Sequence, residues 1–265
     1  FVEDPTRIFR AIKFSNRFGF NIGKVTSNLI QNAIKIDCFK NLSGLRVLSE
    51  LKQIFEEENP IPAIRMMQDY GLEKMIHDKL EIRPNTYHLL ESVNKTLSWH
   101  DLLYVNVDYP RWAVYFMAIL HRCPYAVCDQ VCDRLNIPVK ERLLLMEKRY
   151  KAEKQVQLIE NTDQYSQSDL YWALINFKTE LILYMMALAT GEKTKKAISY
   201  FYTHHRQIAP LIRGRDLIGI GLKPGPDFTR IMNEIINEKV AGKLPTKKKE
   251  IQFAQAYAAA NELID

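Results

Sequence analysis

Glycine and cysteine are both scarce in this sequence of 265 residues, which contains ten of the first and four of the second. Four cysteines are too few for the disulfide framework of a secreted scaffold, so we expect a reducing, cytoplasmic environment. No uninterrupted apolar run is long enough to cross a bilayer, and no signal-peptide pattern is present. The sequence begins with Phe1 rather than Met, and we expect it to be part of a longer chain.

Three of the cysteines lie near a histidine, which raises the question of a zinc site. Cys128 and Cys132 are four residues apart and can share a helix face, with His121 and Cys123 nearby. However, no paired C-x-x-C motif is present, and such thiols also pack as small apolar side chains. We therefore predict no metal site in this chain.

Two histidine–aspartate pairs provide a second metal hypothesis, that of an HD-type metal phosphohydrolase. The pairs are His77-Asp78 and His100-Asp101, with His88 and His121 nearby. Adjacent side chains point to different faces of a helix, and such pairs also arise by chance. The hypothesis is a minor alternative.

Apolar residues follow the helical period along nearly the whole chain, and strand-like alternation is rare. The sequence therefore predicts an all-α protein, an elongated modular array of about a dozen helices. We divide it into three parts, residues 1–83, 84–149 and 150–265. Pro-rich or turn-rich breaks at 59–62 and 106–110 separate helices within the first two parts. Thr246 is expected to cap the last helix.

The first helix combines an acidic start with a basic stripe. Asp4-Pro5 is typical of a helix start and Gly19 of a helix end. Residues three apart share a helix face, so Asp4 and Arg7 lie side by side. The stripe continues through Arg10, Lys13 and Arg17. Asp4 is therefore either a helix cap paired with Arg7 or part of a binding site.

The same segment resembles a motif of the class II tRNA nucleotidyltransferases, which include the CCA-adding and A-adding enzymes, and of the related bacterial poly(A) polymerases. EDPTRIFRAIKFSNRFGF, residues 3–20, is similar to the family's neck motif E-D-x-x-R, R-A-x-R-F and G-F. Lys13 stands where the family usually has Arg.

Two further segments are similar to the same family. LSGLRVLSELKQIF, residues 42–55, resembles the next neck motif, in which Arg46 and Glu50 match R-x-x-x-E. Leu45 stands where the common form has Glu, which leaves the polar role of this motif open. RDLIGIGLKPGPDFTRIM, residues 215–232, resembles a tail segment of many bacterial members.

The resemblance implies a neck at 1–83, a body at 84–149 and a tRNA-binding tail at 150–265. In the family a β-sheet head precedes the neck and holds two Mg²⁺ ions on its carboxylates. This sequence contains no such head, so the resemblance implies no catalytic residue here and an inactive fragment. The parent would transfer a nucleotide from ATP, and perhaps CTP, to the 3′ end of tRNA, with the A-adding type favoured. The alternative is a non-catalytic helical RNA-binding module.

In the family the Asp and Arg of the neck form the template for the incoming base. A carboxylate only accepts hydrogen bonds and a guanidinium only donates them, so Asp4 can take the amino group of adenine or cytosine. Arg7 can donate to the neighbouring ring nitrogen. Guanine and uracil reverse this pattern and would leave polar groups unpaired. The resemblance adds Glu3 and Arg10 as residues that support the base site, Glu3 orienting Arg7 or Arg10.

Seven basic residues in the last part of the chain are candidate tRNA contacts. They are Arg213, Arg215, Lys223, Lys243, Lys247, Lys248 and Lys249. Cations near helix N-termini suit phosphate groups, although a solvated charged surface explains any one of them equally well.

Overall fold

The computed structural model describes residues 1–162 and 164–263, and every regular element in that part of the chain is helical. The α-helices are α1 (Thr6–Phe18), α2 (Lys24–Lys35), α3 (Gly44–Phe55), α4 (Ile61–Asp69), α5 (Leu72–Ile76), α6 (Pro84–Asp101), α7 (Arg111–Leu120), α8 (Tyr125–Arg134), α9 (Val139–Leu143), α10 (Arg149–Glu160), α11 (Gln167–Leu174), α12 (Thr179–Leu188), α13 (Glu192–Tyr200), α14 (Gly214–Gly219), α15 (Pro226–Val240) and α16 (Lys247–Ala260). Two π-helical turns, Leu144–Lys148 and Phe201–His205, follow α9 and α13. The predicted all-α class is confirmed.

The helices outnumber the predicted dozen because several are very short. α5 and α9 have five residues each and α14 has six. Fewer than two helical turns show too little periodicity to be recognised in a sequence. Within the described residues, no helix has both the length and the apolar character of a membrane span.

Local signals at helix ends behave largely as predicted. Gly19 ends α1 in the left-handed conformation, with φ of 66°, and donates its N–H to the carbonyl of Ser15. Thr246 caps α16, since its hydroxyl accepts the N–H of Lys249. These ends are set by residues within four positions, which is why the sequence shows them.

The described chain forms two compact units. One contains residues 1–157 and 178–190, and the other contains residues 158–177 and 191–265. The division at 1–83, 84–149 and 150–265 made from the sequence stays a prediction.

The core of the first unit is built around α7 and α12. Every side chain from Trp112 to Leu120 is buried, and Leu181 to Met185 are buried as well. Both helices are apolar on all sides, which is the pattern of a helix enclosed by others. They pack on α6 and on each other, while α3 covers α7. The core of the second unit comes from α14, α15, α16 and the segments joining them, with Ile231, Ile235, Ala254 and Ala258 fully buried.

Candidate functional site

α1 and α3 lie side by side, and polar pairs join them at a constant sequence separation. The pairs are Arg10 Nε to Glu50 Oε1 at 3.0 Å, Lys13 Nζ to Gln53 Oε1 at 2.5 Å, and Arg17 Nε to Glu57 Oε1 at 3.1 Å. Each partner lies 40 residues further along the chain, so the two helices run parallel and in register. The basic stripe of α1 is therefore largely matched by a polar and acidic stripe that runs along α3 and ends at Glu57, two residues after the helix.

At the start of these two helices the placement of the charges is reversed. The acidic residue, Asp4, belongs to the first motif, and the basic residue that it faces, Arg46, belongs to α3. Arg46 donates to Oδ1 of Asp4 at 3.0 Å. The same oxygen accepts the Thr6 hydroxyl at 2.6 Å and the Thr6 N–H at 3.2 Å. The hydroxyl of Thr6 is the main cause that lowers the pKa of Asp4, and partial burial opposes it. The backbone N–H of Thr6 and the charges of Arg46 and Arg10 lower that pKa further, so the carboxylate is ionised at neutral pH.

Arg7 is the exposed member of the motif. Its Nε lies 4.0 Å from Oδ2 of Asp4, and 65% of its side chain is accessible to solvent. In the described part of the chain, Oδ2 of Asp4 accepts no hydrogen bond. An acceptor oxygen and a guanidinium with donors available therefore stand side by side at the surface, as the sequence predicts.

The geometry separates the two roles that the sequence left open for Asp4. Helix α1 begins at Thr6 with Pro5 as its N-cap, so the predicted N-cap role of Asp4 is wrong by one residue. Asp4 still contacts the helix start, because its Oδ1 accepts the N–H of Thr6. This contact uses Oδ1 alone and is compatible with a second role for Oδ2.

Glu50, rather than Glu3, orients Arg10. The structure shows no hydrogen bond or salt bridge for Glu3 among the residues that it describes, whereas Glu50 is buried and accepts from Nε of Arg10. The base contacts of Asp4, Arg7, Glu3 and Arg10 stay predictions.

The second motif has polar partners, which sequence reasoning left open. Arg46 and Glu50 lie four residues apart on one face of α3 and contact Asp4 and Arg10 of the first motif. The sequence shows that Arg46 and Glu50 share a face of one helix, because they are four residues apart. It does not show the register between α1 and α3, whose paired residues are 40 positions apart.

Gly44 allows α3 to reach this position. A Cβ atom there would lie 2.1 Å from the carbonyl oxygen of Arg134 and 2.6 Å from Oδ1 of Asn136. Only a residue without a side chain can begin a helix so close to another backbone.

The second unit brings together the starts of α14 and α16. Glu250 is fully buried, pairs with Lys239, and accepts the N–H groups of Leu211 and Ile212 at 2.7 and 3.0 Å. Lys247 pairs with Asp216 at 2.8 Å. The chain before α14 is thus held against the first turn of α16.

This arrangement places five of the seven predicted tRNA contacts near two helix N-termini. The five are Arg213, Arg215, Lys247, Lys248 and Lys249, and all are exposed. Lys243 is exposed and pairs with Glu238 at 2.9 Å, and Lys223 is exposed in the turn between α14 and α15. Among the residues that the structure describes, no hydrogen bond joins Lys243 or Lys223 to the five.

Several residues of the two metal hypotheses are engaged in other contacts. His121 pairs with Glu153 at 3.1 Å, and the buried thiol of Cys128 lies 3.7 Å from the guanidinium of Arg149. Nε2 of His77 contacts Gln130 at 2.7 Å. In residues 1–162 and 164–263, no group of three or more His, Cys, Asp or Glu side chains has the arrangement of a metal site.

Comparison with known proteins defines the class. A Thermotoga maritima CCA-adding enzyme complexed with tRNA shares the fold, with a TM-score of 0.77 and 24% identity over 97% of this chain and 62% of that one. A CCA-adding enzyme in complex with ATP has a TM-score of 0.74 and 25% identity over 99% of this chain and 61% of that one. The fold is that of the helical part of CCA-adding enzymes. No family model matches the chain.

Two of the sequence relatives that match nearly the whole chain are named A-adding enzymes. The A-adding tRNA nucleotidyltransferase of Geobacter sulfurreducens is 34% identical over 258 residues, which are 96% of this chain and 29% of that protein. The enzyme of the same name from Halalkalibacterium halodurans is 24% identical over 97% of this chain and 57% of its own length. The chain is thus a relative of the tRNA nucleotidyltransferases and spans 29–57% of the length of these two.

Proposed function

We propose that this chain selects the incoming nucleotide and binds tRNA within a longer nucleotidyltransferase that adds A, or CCA, to tRNA 3′ ends. The observation that carries the proposal is the surface pair formed by Oδ2 of Asp4 and the guanidinium of Arg7. Arg46 and Thr6 hold the other carboxylate oxygen, so the carboxylate of Asp4 is positioned before a base arrives. The names of the A-adding relatives support this proposal.

The pair discriminates between bases by the direction of its hydrogen bonds. Ionised Asp4 offers only an acceptor, which suits the amino group of adenine or cytosine, and Arg7 offers only donors, which suit the adjacent ring nitrogen. Guanine and uracil present a carbonyl to the carboxylate and an N–H to the guanidinium. Both contacts are then repulsive, so these bases are rejected.

The proposed reaction is the attack of the tRNA 3′-hydroxyl on the α-phosphate of ATP, with release of pyrophosphate. The described residues do not fit a Mg²⁺ site, since no cluster of ligands lies among them. We therefore assign the Mg²⁺ ions to a head domain outside this sequence. It follows that the 265-residue chain alone should transfer no AMP to tRNA.

The basic residues near α14 and α16 are the proposed phosphate contacts. Lys248 and Lys249 are exposed and form no salt bridge in the described part of the chain, so both ammonium groups are available. A truncation before Lys243 would be a poor test, because it also removes Glu250 and the buried alanines of α16. Point substitutions that keep the fold are needed instead.

The test is tRNA binding by the chain as a function of salt concentration. The double variant Lys248→Gln, Lys249→Gln should bind tRNA more weakly. The slope of log binding constant against log salt concentration should become shallower by about one for each phosphate contact removed. The control Lys35→Gln, Lys40→Gln removes the same charge from exposed positions of the first unit. Equal affinity and slope in both variants would exclude the α16 contacts.

A further inference from the structure

The outer face of α13 carries two lysines followed by two aromatic rings. Lys193, Lys196, Tyr200 and His204 follow one another at spacings of three and four residues, so they line one side of the helix and its π-helical continuation. All four are exposed. None of them belongs to the basic cluster near α14 and α16 described above.

The two rings are held in one orientation. Tyr200 and His204 stack with centroids 4.3 Å apart and planes inclined by 16°. The hydroxyl of Thr203 donates to the carbonyl of Ser199 at 2.9 Å, so its oxygen is left to accept from Nδ1 of His204 at 2.7 Å. The buried ring of His205 meets Tyr200 edge-on at 4.9 Å. Contacts on two sides therefore fix the stack before any ligand arrives.

The charges around these rings favour a polyanion. The stripe contains no acidic residue, and the neighbouring Glu192 pairs with Lys195 at 3.5 Å. Lys196 forms no salt bridge in the part of the chain that the structure describes. A flat exposed ring pair flanked by cations is the arrangement on which proteins stack the bases of unpaired nucleic acid.

We propose that Tyr200 and His204 form a platform on which an unpaired base of RNA stacks while Lys196 faces an adjoining phosphate. If the proposed function holds, the RNA that binds here is tRNA. Only this identification of the RNA rests on the proposed function. Because the rings are already ordered, stacking costs little side-chain entropy. Stacking requires an unpaired base, whereas phosphate contacts form with paired and unpaired RNA alike.

The test is the affinity of the 265-residue chain for three RNAs: a tRNA transcript, an unstructured oligonucleotide and a blunt duplex. Tyr200→Leu and His204→Ala should each weaken binding of the first two by about tenfold and leave the duplex unchanged. Tyr200→Phe and His204→Phe keep the rings and should bind as the unchanged protein does. Tyr125→Leu, at a tyrosine that is 71% exposed on α8, is the control.

The outcomes separate this inference from the proposed function. If the chain binds tRNA and none of the ring variants changes that binding, the platform is wrong and the proposed function stands. If the rings matter for the oligonucleotide but the chain does not bind tRNA, the platform stands and the proposed function is wrong. A chain that binds none of the three RNAs overturns both. Equal losses in the Leu and Phe variants would also exclude stacking, and thermal melting of each variant checks that it is folded.

Discussion

Gly44 gives the sharpest structural prediction, because a single methyl group added there meets another backbone. The Cβ of Gly44→Ala would lie 2.1 Å from the Arg134 carbonyl oxygen and 2.7 Å from the carbonyl carbon of Leu135. Ordinary contacts begin near 3.4 Å, so the two backbones must separate by more than 1 Å. Neither contact is with a flexible side chain that can turn aside. Helix α3 itself has to move.

The cost follows from what α3 covers. Leu48, Leu51 and Phe55 are all buried on the face of α3 that packs in the first unit, so a shift of the helix disturbs that packing. Overpacking of this kind typically costs about 1–3 kcal/mol, and a collision with rigid backbone belongs at the upper end. A loss of about 3 kcal/mol lowers the melting temperature of a unit of this size by about 6–12 °C.

The assay is thermal unfolding followed by circular dichroism, with Gly23→Ala as the matched control. Gly23 is the N-cap of α2 in the same unit and has no atom within 4 Å of an added Cβ, so Ala should change stability by no more than about 1 kcal/mol. If Gly44→Ala melts together with the control, then α3 is not seated on the Arg134 backbone. In that case, contact with the Arg134 backbone would not explain how α3 is placed in register with α1.

Two further predictions concern paired carboxylates, the buried Glu250 and the half-buried Glu153. Glu250→Gln removes one partner of the buried pair with Lys239, which should destabilise the second unit by about 3–5 kcal/mol, measured by urea unfolding; a loss below 1 kcal/mol would contradict this. Burial opposes ionisation of Glu153, but hydrogen bonds from His121 and Tyr184 and the charge of Arg149 leave its folded pKa lowered. Its stabilising contribution is therefore complete above the ordinary value of 4.5 and is lost as the pH falls through the folded pKa. Glu153→Gln should be less stable at pH 7 and lose less stability on acidification; parallel pH profiles of melting temperature would refute this.

The sequence predicts those features that depend on near neighbours. The helical class, the end of α1 at Gly19 and the cap of α16 at Thr246 depend on residues within four positions of one another. The side-by-side placement of Asp4 and Arg7 belongs to the same group, since one helical turn brings them together.

Features that depend on contacts between distant residues could not be predicted from the sequence. The contact of Arg46 with Asp4 spans 42 residues, and nothing in either segment alone reveals that α1 and α3 run parallel. Glu250 reads as one more charge in a lysine-rich helix start, yet it is fully buried because Lys239 and two backbone N–H groups converge on it. Such burial is decided by tertiary packing, which local composition does not encode.

The central claim, that Asp4 selects the base, is tested most directly in the proposed longer nucleotidyltransferase, which includes a head domain. The measurement is the incorporation efficiency of ATP, CTP, GTP and UTP for the unchanged enzyme and for Asp4→Ala and Asp4→Asn. Asn keeps a capping oxygen but can also turn its amide to donate to a carbonyl. The account predicts a ten- to hundredfold loss with the proper nucleotide and weaker discrimination against GTP and UTP in both variants. Variants that melt at a lower temperature but keep the four-nucleotide ratios of the unchanged enzyme would contradict it and leave Asp4 as a helix cap.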